Sequence, residues 1–300
     1  MVRRKEDTWP LCESGGRVFG GLLDGSLLEW DASTVEELHG LRCGGQVWAV
    51  SCMAACGDLV ISGHLDGCLR VWNTATGGCD HVLRGHTHTV FCAAFWGQYL
   101  VSGSGDRTIK CWSTEGDGSW SCLGTIAVHT GAVRAVVARE GRVISGSEDT
   151  TIKVSDIVTR QHESTLDAHT GAIYALAVNG QTLLSTGHGC TICVWALGTW
   201  NHLREVRVSE HVPDALGCTC LAVSGSMLLC GGVRDQDSGL VVVLDSKTMD
   251  CEHTLRLEHS VHNLLSVRSE VWGVLRGGNV VVWGKAERGQ GSGKSEAGRA

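Results

Sequence analysis

Long apolar runs, an N-terminal apolar stretch and an excess of positive charge are all missing from this sequence. No stretch of 18 apolar residues occurs, so no membrane insertion is expected. The N-terminus, MVRRKEDTWP, is charged and has no apolar core, so it does not read as a secretory signal. Formal net charge is −7 and the longest basic cluster is Arg3-Arg4-Lys5, so no nucleic-acid partner is expected. Proline is rare at 2 residues, and Phe and Tyr are scarce at 3 and 2. The sequence has no P-loop, no dinucleotide fingerprint and no HExxH helix. It also has no Gly-x-Ser-x-Gly nucleophile elbow. No catalytic residue, cofactor or metal is expected.

Glycine is abundant at 41 residues and tryptophan at 11. Many glycines among β-branched residues point to short strands joined by tight turns. Cysteine is frequent and odd in number, at 15. Without a secretory signal, that points to free thiols packed as small hydrophobes in a reducing compartment, cytoplasmic and/or nuclear.

Self-similarity is the dominant signal. LVISGHLDGCLRVW (59–72), LVSGSGDRTIKCW (100–112), RVISGSEDTTIKVS (142–155) and LLSTGHGCTICVW (183–195) are copies of one another. GLLDGSLLEWD (21–31) is a fifth copy, and 227–245 and 271–283 are weaker sixth and seventh copies. The closing position falls at Trp30, Trp72, Trp112, Ser155, Trp195, Leu244 and Trp283, at intervals of 42, 40, 43, 40, 49 and 39 residues. Within a copy, Ile109 and Cys111 share one side while Lys110 and Trp112 share the other, the period of a strand. Gly-Asp, Glu-Asp or Asp-Gly pairs supply hairpin turns. Four strands per copy, repeated about every 40 residues, form sheets that bury their faces only by stacking in a ring.

Arg84-Gly85-His86, Ser102-Gly103-Ser104-Gly105-Asp106 and the closing Trp112, recurring at this period, resemble the WD-repeat family over residues 8–284. The texture is most similar to the WD domains of ubiquitin-ligase subunits of the F-box and TRAF kinds, although no F-box or RING segment is present. The resemblance implies an all-β fold, a seven-bladed WD40 β-propeller. It also implies a buried tetrad of His, Ser or Thr, Asp and Trp in each blade. Blade three has all four: His86, Ser102, Asp106 and Trp112. Blade four has His129, Ser145 and Asp149, with Ser155 in place of Trp. Blade five has His169, Ser185 and Trp195, with Gly189 in place of Asp. Blade two has Ser62, Asp66 and Trp72, with Cys43 in place of His. Recurrence of the trio at blade period fits structural pinning and not a nucleophilic triad, which occurs once per site.

Two cysteine pairs have tempting spacings. Cys190-x-x-Cys193 falls inside an expected strand, where i and i+3 face opposite sides, so core packing is preferred over a metal site. Cys218 and Cys220 are expected on one strand face, again as core. His81, His86 and His88 read as one tetrad member and two surface residues.

The inner strand of each blade starts at the channel mouth in the resembled family. Counting back 12 residues from the repeat serine gives Thr8, Val90, Val133 and Ile173, and an assumed three-residue insertion puts Val47 in blade two. The residues that follow are Trp9, Trp48, Phe91, Arg134 and Tyr174, with Thr219 in blade six and blade seven ambiguous. Two readings stand: these residues contact a partner, or they pack between blades. Trp, Tyr and Arg dominate interface hot spots, and the single Arg is expected to read an acidic group.

The expected organisation is an N-terminal segment (1–7), short and charged but the candidate closing strand, a propeller (8–284) and a disordered, Gly-rich tail (285–300). A three-stranded blade seven is the alternative closure. The expected function is a non-enzymatic scaffold or adaptor that binds other proteins or peptides on its top face, as a substrate-recognition module of a ubiquitin-ligase or signalling complex. The rival is a propeller enzyme with its site in the channel mouth, which would need clustered carboxylates or metal ligands there.

Overall fold

The computed structural model describes residues 8–44, 47–114, 118–213, 215–233, 238–267, 270–276 and 278–284, except the side chains of Thr8, Trp9 and Gly284. The segments 1–7 and 285–300, read above as closing strand and tail, lie outside the described residues.

Among the described residues the chain is a succession of antiparallel meanders. Blade one comprises β1 (Thr8–Ser14), β2 (Arg17–Leu22), β3 (Leu27–Asp31) and β4 (Glu37–Leu41). Blade two comprises β5 (Val50–Cys56), β6 (Leu59–His64), β7 (Leu69–Asn73) and β8 (Gly78–Leu83). Blade three comprises β9 (Val90–Trp96), β10 (Tyr99–Ser104), β11 (Ile109–Thr114) and β12 (Trp120–Ile126). Blade four comprises β13 (Val133–Arg139), β14 (Arg142–Ser147), β15 (Ile152–Asp156) and β16 (His162–Leu166). Blade five comprises β17 (Ile173–Asn179), β18 (Thr182–Gly187), β19 (Thr191–Ala196) and β20 (His202–Arg207), and the short helix α1 (Val208–His211) follows it. Blade six comprises β21 (Gly217–Ser224), β22 (Met227–Val233), β23 (Gly239–Asp245) and β24 (Cys251–Leu257). Blade seven has three described strands, β25 (Val261–Val267), β26 (Glu270–Leu275) and β27 (Val280–Gly284).

The seven sheets form a propeller, and its core is divided into seven wedges. Each apolar cluster draws residues from two neighbouring blades. Phe19 and Leu27 of blade one pack with Val60 and Trp72 of blade two, for example, and Val101 and Ile109 of blade three pack with Val133 and Val143 of blade four. Blade seven meets blade one in the same way: Val18 and Trp30 pack with Trp272 and Val274, and the Trp30 and Trp272 rings lie 6.3 Å apart. The ring is therefore closed by side-chain packing, and β25 contacts β1 at the axis.

One contact recurs at nearly every interface. The first residue of an inner strand is β-branched and sits on a glycine of the preceding blade. A Cβ at Gly63 would lie 2.9 Å from Val90 Cγ1, at Gly103 2.5 Å from Val133 Cγ1, at Gly146 2.7 Å from Ile173 Cγ2, and at Gly231 2.9 Å from Val261 Cγ1. Gly21 stands in the same relation to Val50, at 2.4 Å. All five knobs are buried. In blade five the socket holds Thr186, and there the following knob shrinks to Cys218, paired opposite Gly232. Volume removed on one side matches volume added on the other, as close packing demands.

Gly103→Ala should destabilise the chain by about 1–3 kcal/mol through overpacking. Val133→Ala, destabilising by itself, should cost clearly less in the Gly103→Ala background. A double-mutant cycle from urea denaturation midpoints measures that coupling, and strictly additive losses would contradict the socket.

Candidate functional site

In blade three, His86 on the β8–β9 connection reaches Ser102 of β10, Asp106 of the following turn and, through Ser102, Trp112 of β11. The distances are 2.8 Å from His86 Nε2 to Ser102 Oγ, 2.8 Å from His86 Nδ1 to Asp106 Oδ2, and 2.9 Å from Trp112 Nε1 to Ser102 Oγ. The proton order follows from the tryptophan, whose ring N–H can only donate. Ser102 accepts from Trp112 and donates to His86 Nε2. His86 Nδ1–H is then left to donate to Asp106. Burial lowers the His86 pKa against the opposing pull of Asp106, so the ring is neutral at pH 7. Burial alone would raise Asp106, but hydrogen bonds from Thr108, from His86 and from the Thr87 amide bring it down to about 2.

Blade four repeats the chain without its tryptophan. His129 lies 2.8 Å from Ser145 and 2.8 Å from Asp149. At the tryptophan position the Ser155 Oγ is buried and has no hydrogen-bond partner. Blade five keeps Trp195 and His169, at 2.9 and 2.7 Å from Ser185, but has Gly189 where the carboxylate would be. Gly20, Cys230 and Gly273 occupy the serine position of blades one, six and seven by strand register.

Blade two departs from expectation. Cys43 does not supply a substitute for the histidine; it packs against the blade one–two cluster. His64, at the end of β6, does so instead. Its Nε2 lies 2.6 Å from Ser62 Oγ, Ser62 accepts from Trp72 Nε1 at 2.7 Å, and His64 Nδ1 donates to the Trp48 carbonyl at 2.6 Å. The expected partner, Asp66, turns instead to Arg70, at 3.0 Å. The visible signal was Ser-Gly-His, where blades three and four have Ser-Gly-Ser. Because the acceptor is a backbone carbonyl, the buried chain of blade two pins the loop that carries Trp48.

At the mouth each described inner strand opens on a β-bulge. Register slips across Val50/Cys52, Val133/Ala135, Ile173/Ala175, Cys218/Cys220 and Val261/Asn263, and in blade three opposite Gly103/Ser104. A bulge breaks the alternation and re-aims one side chain. The bulge residues are Ser51, Phe91, Arg134, Tyr174, Thr219 and His262. Trp48 is therefore not at the ring position: β5 starts at Val50, 12 residues before Ser62 without any insertion, and the extra residues lie in the preceding loop. Trp48 nonetheless projects from that loop at the same end, with 54% of its surface exposed. Trp9 is in β1, and its side chain lies outside the described residues.

Phe91, Arg134, Tyr174, Ser51, Thr219 and His262 all line one axial cavity of about 530 Å³. Phe91, Arg134 and Tyr174 are half-buried. The small bulge residues brace the ring: Ser51 donates to the Val90 carbonyl at 2.6 Å and Thr219 to the Val261 carbonyl at 2.8 Å. The larger ones form a stack, with Arg134 Cζ 3.8 Å from the centre of the Phe91 ring. Arg134, expected to read an acidic group of a partner, already pairs with an acid of its own blade. Its Nε donates to Glu148 Oε1 at 2.7 Å, and its Nη2 donates to the same oxygen. Leu23 and Leu65 directly follow β2 and β6 at this rim and are 46% and 46% exposed. No carboxylate is among the described lining residues of the cavity.

The family model "WD domain, G-beta repeat" matches residues 36–73, 77–113, 120–156 and 160–196. The chain belongs to the WD40 repeat family. Each matched WD40 repeat starts on the outer strand of one blade and ends on the third strand of the next, so every repeat stitches two blades together. Among curated proteins, the chain is similar to "p21-activated protein kinase-interacting protein 1-like" of Danio rerio, 32% identical over 83 residues, 27% of this chain and 23% of the relative. It is similar to "Cell division control protein 4" of Saccharomyces cerevisiae, 32% identical over 185 residues, 53% of this chain and 24% of the relative. The matches span about a quarter of the length of these relatives. Among solved structures, the computationally designed Ika8 protein superposes with a TM-score of 0.68 at 24% identity, over 95% of this chain and 98% of that one, which speaks to the fold alone.

The cysteines of this WD40 chain are all free. Two details differ from expectation. Cys190 precedes β19 and has a positive φ of 54°, although it and Cys193 do enter different clusters. Cys218 and Cys220 do not share a face, because the bulge at Thr219 turns Cys218 toward blade five and Cys220 toward blade seven. Among the described residues, no group of three His, Cys, Asp or Glu side chains could hold a metal ion. No described helix is long and apolar enough to cross a membrane.

Trp112→Ala should cost roughly 3–5 kcal/mol by cavity formation. Ser155→Ala should stay near neutral, because it removes a buried hydroxyl that has no hydrogen-bond partner. Equal losses in chemical denaturation would contradict the ranking. Stability should also depend on pH. Burial holds His64 and His169 down at about 4, from 6.5. Between those values the unfolded chain binds more protons, so stability falls as pH drops through that window. Asp106 and Asp149, held below the ordinary carboxylate range, add their own loss only below about pH 4. Urea midpoints at pH 7.5, 5.5 and 4.5 should show the first decline, and His64→Gln with His169→Gln should flatten it.

Proposed function

We propose that this propeller is a non-enzymatic interaction scaffold that holds a partner protein or peptide at the channel mouth. The observation that carries this reading is a set of exposed apolar side chains at the mouth end of the first two blades, beside an aromatic–cation stack. Leu23, Trp48 and Leu65 are 46%, 54% and 46% exposed on the first two blades, and Phe91 and Arg134 follow on the next two. Isolated surface leucines need no explanation, but a clustered apolar rim around a concavity marks an interaction site. Aromatic residues offer large contact area with few rotors to freeze.

Interaction is the family's general role, and the zebrafish relative's name describes a protein that interacts with a kinase. A place in a ubiquitin-ligase or kinase-signalling complex is the narrower version of the proposal, supported by the texture of the repeats. A reducing compartment, the cytoplasm or nucleus, accords with 15 free thiols.

A photo-reactive phenylalanine analogue at position 48 or 65 should cross-link a partner in cell extract, while one at position 98 or 181, in turns at the opposite end, should not. Trp48→Ala should weaken the captured complex by about 2 kcal/mol if Trp48 is a hot spot, with an unchanged melting curve. Cross-linking confined to positions 98 and 181 would move the binding face to the other side of the disc.

A further inference from the structure

The fixed Arg134 restricts what the mouth can recognise. A guanidinium offers a partner either its in-plane N–H fork, which suits carboxylates and phosphates, or its flat faces. The Nε–Nη2 edge of Arg134 is taken up within its own blade, where both nitrogens donate to Glu148 Oε1. The charge is thereby balanced before any partner arrives. One face lies over Phe91, at 3.8 Å from the ring centre. The side chain is still 32% exposed and lines the cavity. With the Nε–Nη2 edge and one face engaged, the second face and the Nη1 end are the parts left to meet a partner.

The complement of an open guanidinium face is the electron-rich face of an aromatic ring. Tyr174, on the next blade, lines the same cavity, as do Leu23 and Leu65 of the first two blades. A cavity of about 530 Å³ is within the range that takes a small organic group.

We propose that the mouth is a receptor for an aromatic side chain of a partner peptide, stacked on the open face of Arg134, and that Glu148 disfavours acidic and phosphorylated peptides by balancing the guanidinium charge and taking its Nε–Nη2 edge. The proposal rests on the mouth being the binding face. Glu148 then acts as a specificity residue. Removing its charge should leave the guanidinium unbalanced and turn the same pocket toward anions.

The test uses the full chain and four synthetic pools of 12-residue peptides with random flanks and a fixed central Trp, Leu, Asp or phosphoserine, plus a single-stranded oligonucleotide. The Trp-centred pool should bind about tenfold tighter than the Leu-centred pool, and the oligonucleotide should not compete. Arg134→Lys, which keeps the charge but loses the planar face, should remove most of that advantage, bringing the affinity of the Trp-centred pool to within about twofold of the Leu-centred pool. Glu148→Gln should raise binding of the phosphoserine pool about tenfold. Preference of the wild-type chain for Leu, Asp or phosphoserine, displacement by the oligonucleotide, or indifference to Arg134→Lys would overturn the aromatic assignment. The two readings fail differently. If cross-links at position 48 or 65 persist while the preference is not aromatic, only the assignment is lost. If no pool binds and those cross-links are missing, the mouth itself is not the binding face.

Discussion

A β-branched side chain seated on a bare glycine is the contact around which the blades of this ring are spaced. Val50, Val90, Val133, Ile173 and Val261 each start an inner strand, and each would collide with a Cβ on the blade before it. The glycine lets two strands approach near the axis, where the wedge between blades is narrowest. Further out the wedge widens, and the residues become large: Trp30, Trp72 and Trp112 are buried in such clusters. The blade five–six interface, where Thr186 meets Cys218, breaks the rule but conserves volume and so obeys the same constraint; the blade seven–one interface has Val274 at the socket position and packs through Trp30 and Trp272 instead. The core is thus divided among interfaces, each of which holds only its two neighbours.

The polar chains act at a second level. Tryptophan, serine, histidine and aspartate form a one-way sequence of donors that leaves no buried proton or lone pair wasted. Blade three satisfies it fully. Blades four and five each lose one member at one end of the sequence, so the remaining links survive. In blade two the histidine comes from the strand and not from the loop, and the chain ends on the Trp48 carbonyl. The packing core of that blade is therefore mechanically tied to the rim of the mouth.

The mouth itself follows from bulges. Alternation along an inner strand would send every second side chain into the wedges, where space is set by the glycine contact. One extra residue at the start of each strand interrupts that alternation and turns a side chain toward the axis. Serine and threonine at this place brace the next blade. Phenylalanine, arginine and tyrosine there leave chemistry facing solvent. A rigid ring and a variable bulge residue together separate stability from recognition.

Seven blades, their strand order and the polar chain of blade three were legible in the sequence, because periodicity, turn residues and recurring residue types are properties of neighbours along the chain. Val90, Val133 and Ile173 could be found by counting back from a serine, since only a two-residue turn of constant length intervenes. Val50 was missed only because the extra residues in the preceding loop were assigned to the wrong side of it. Other features were decided by tertiary structure alone. The bulge at Thr219 separates Cys218 from Cys220, which a strict period of two would place together. His64 takes a role that family spacing assigns to position 43, because its ring reaches both Ser62 and the Trp48 carbonyl. Arg134 and Glu148 are 14 residues apart in sequence and meet only across a folded hairpin, with Phe91 brought beneath them by the blade before. Composition and period determine which strands form. Which polar and aromatic groups converge is set by the register of one strand on the next, and a shift of a single residue changes it.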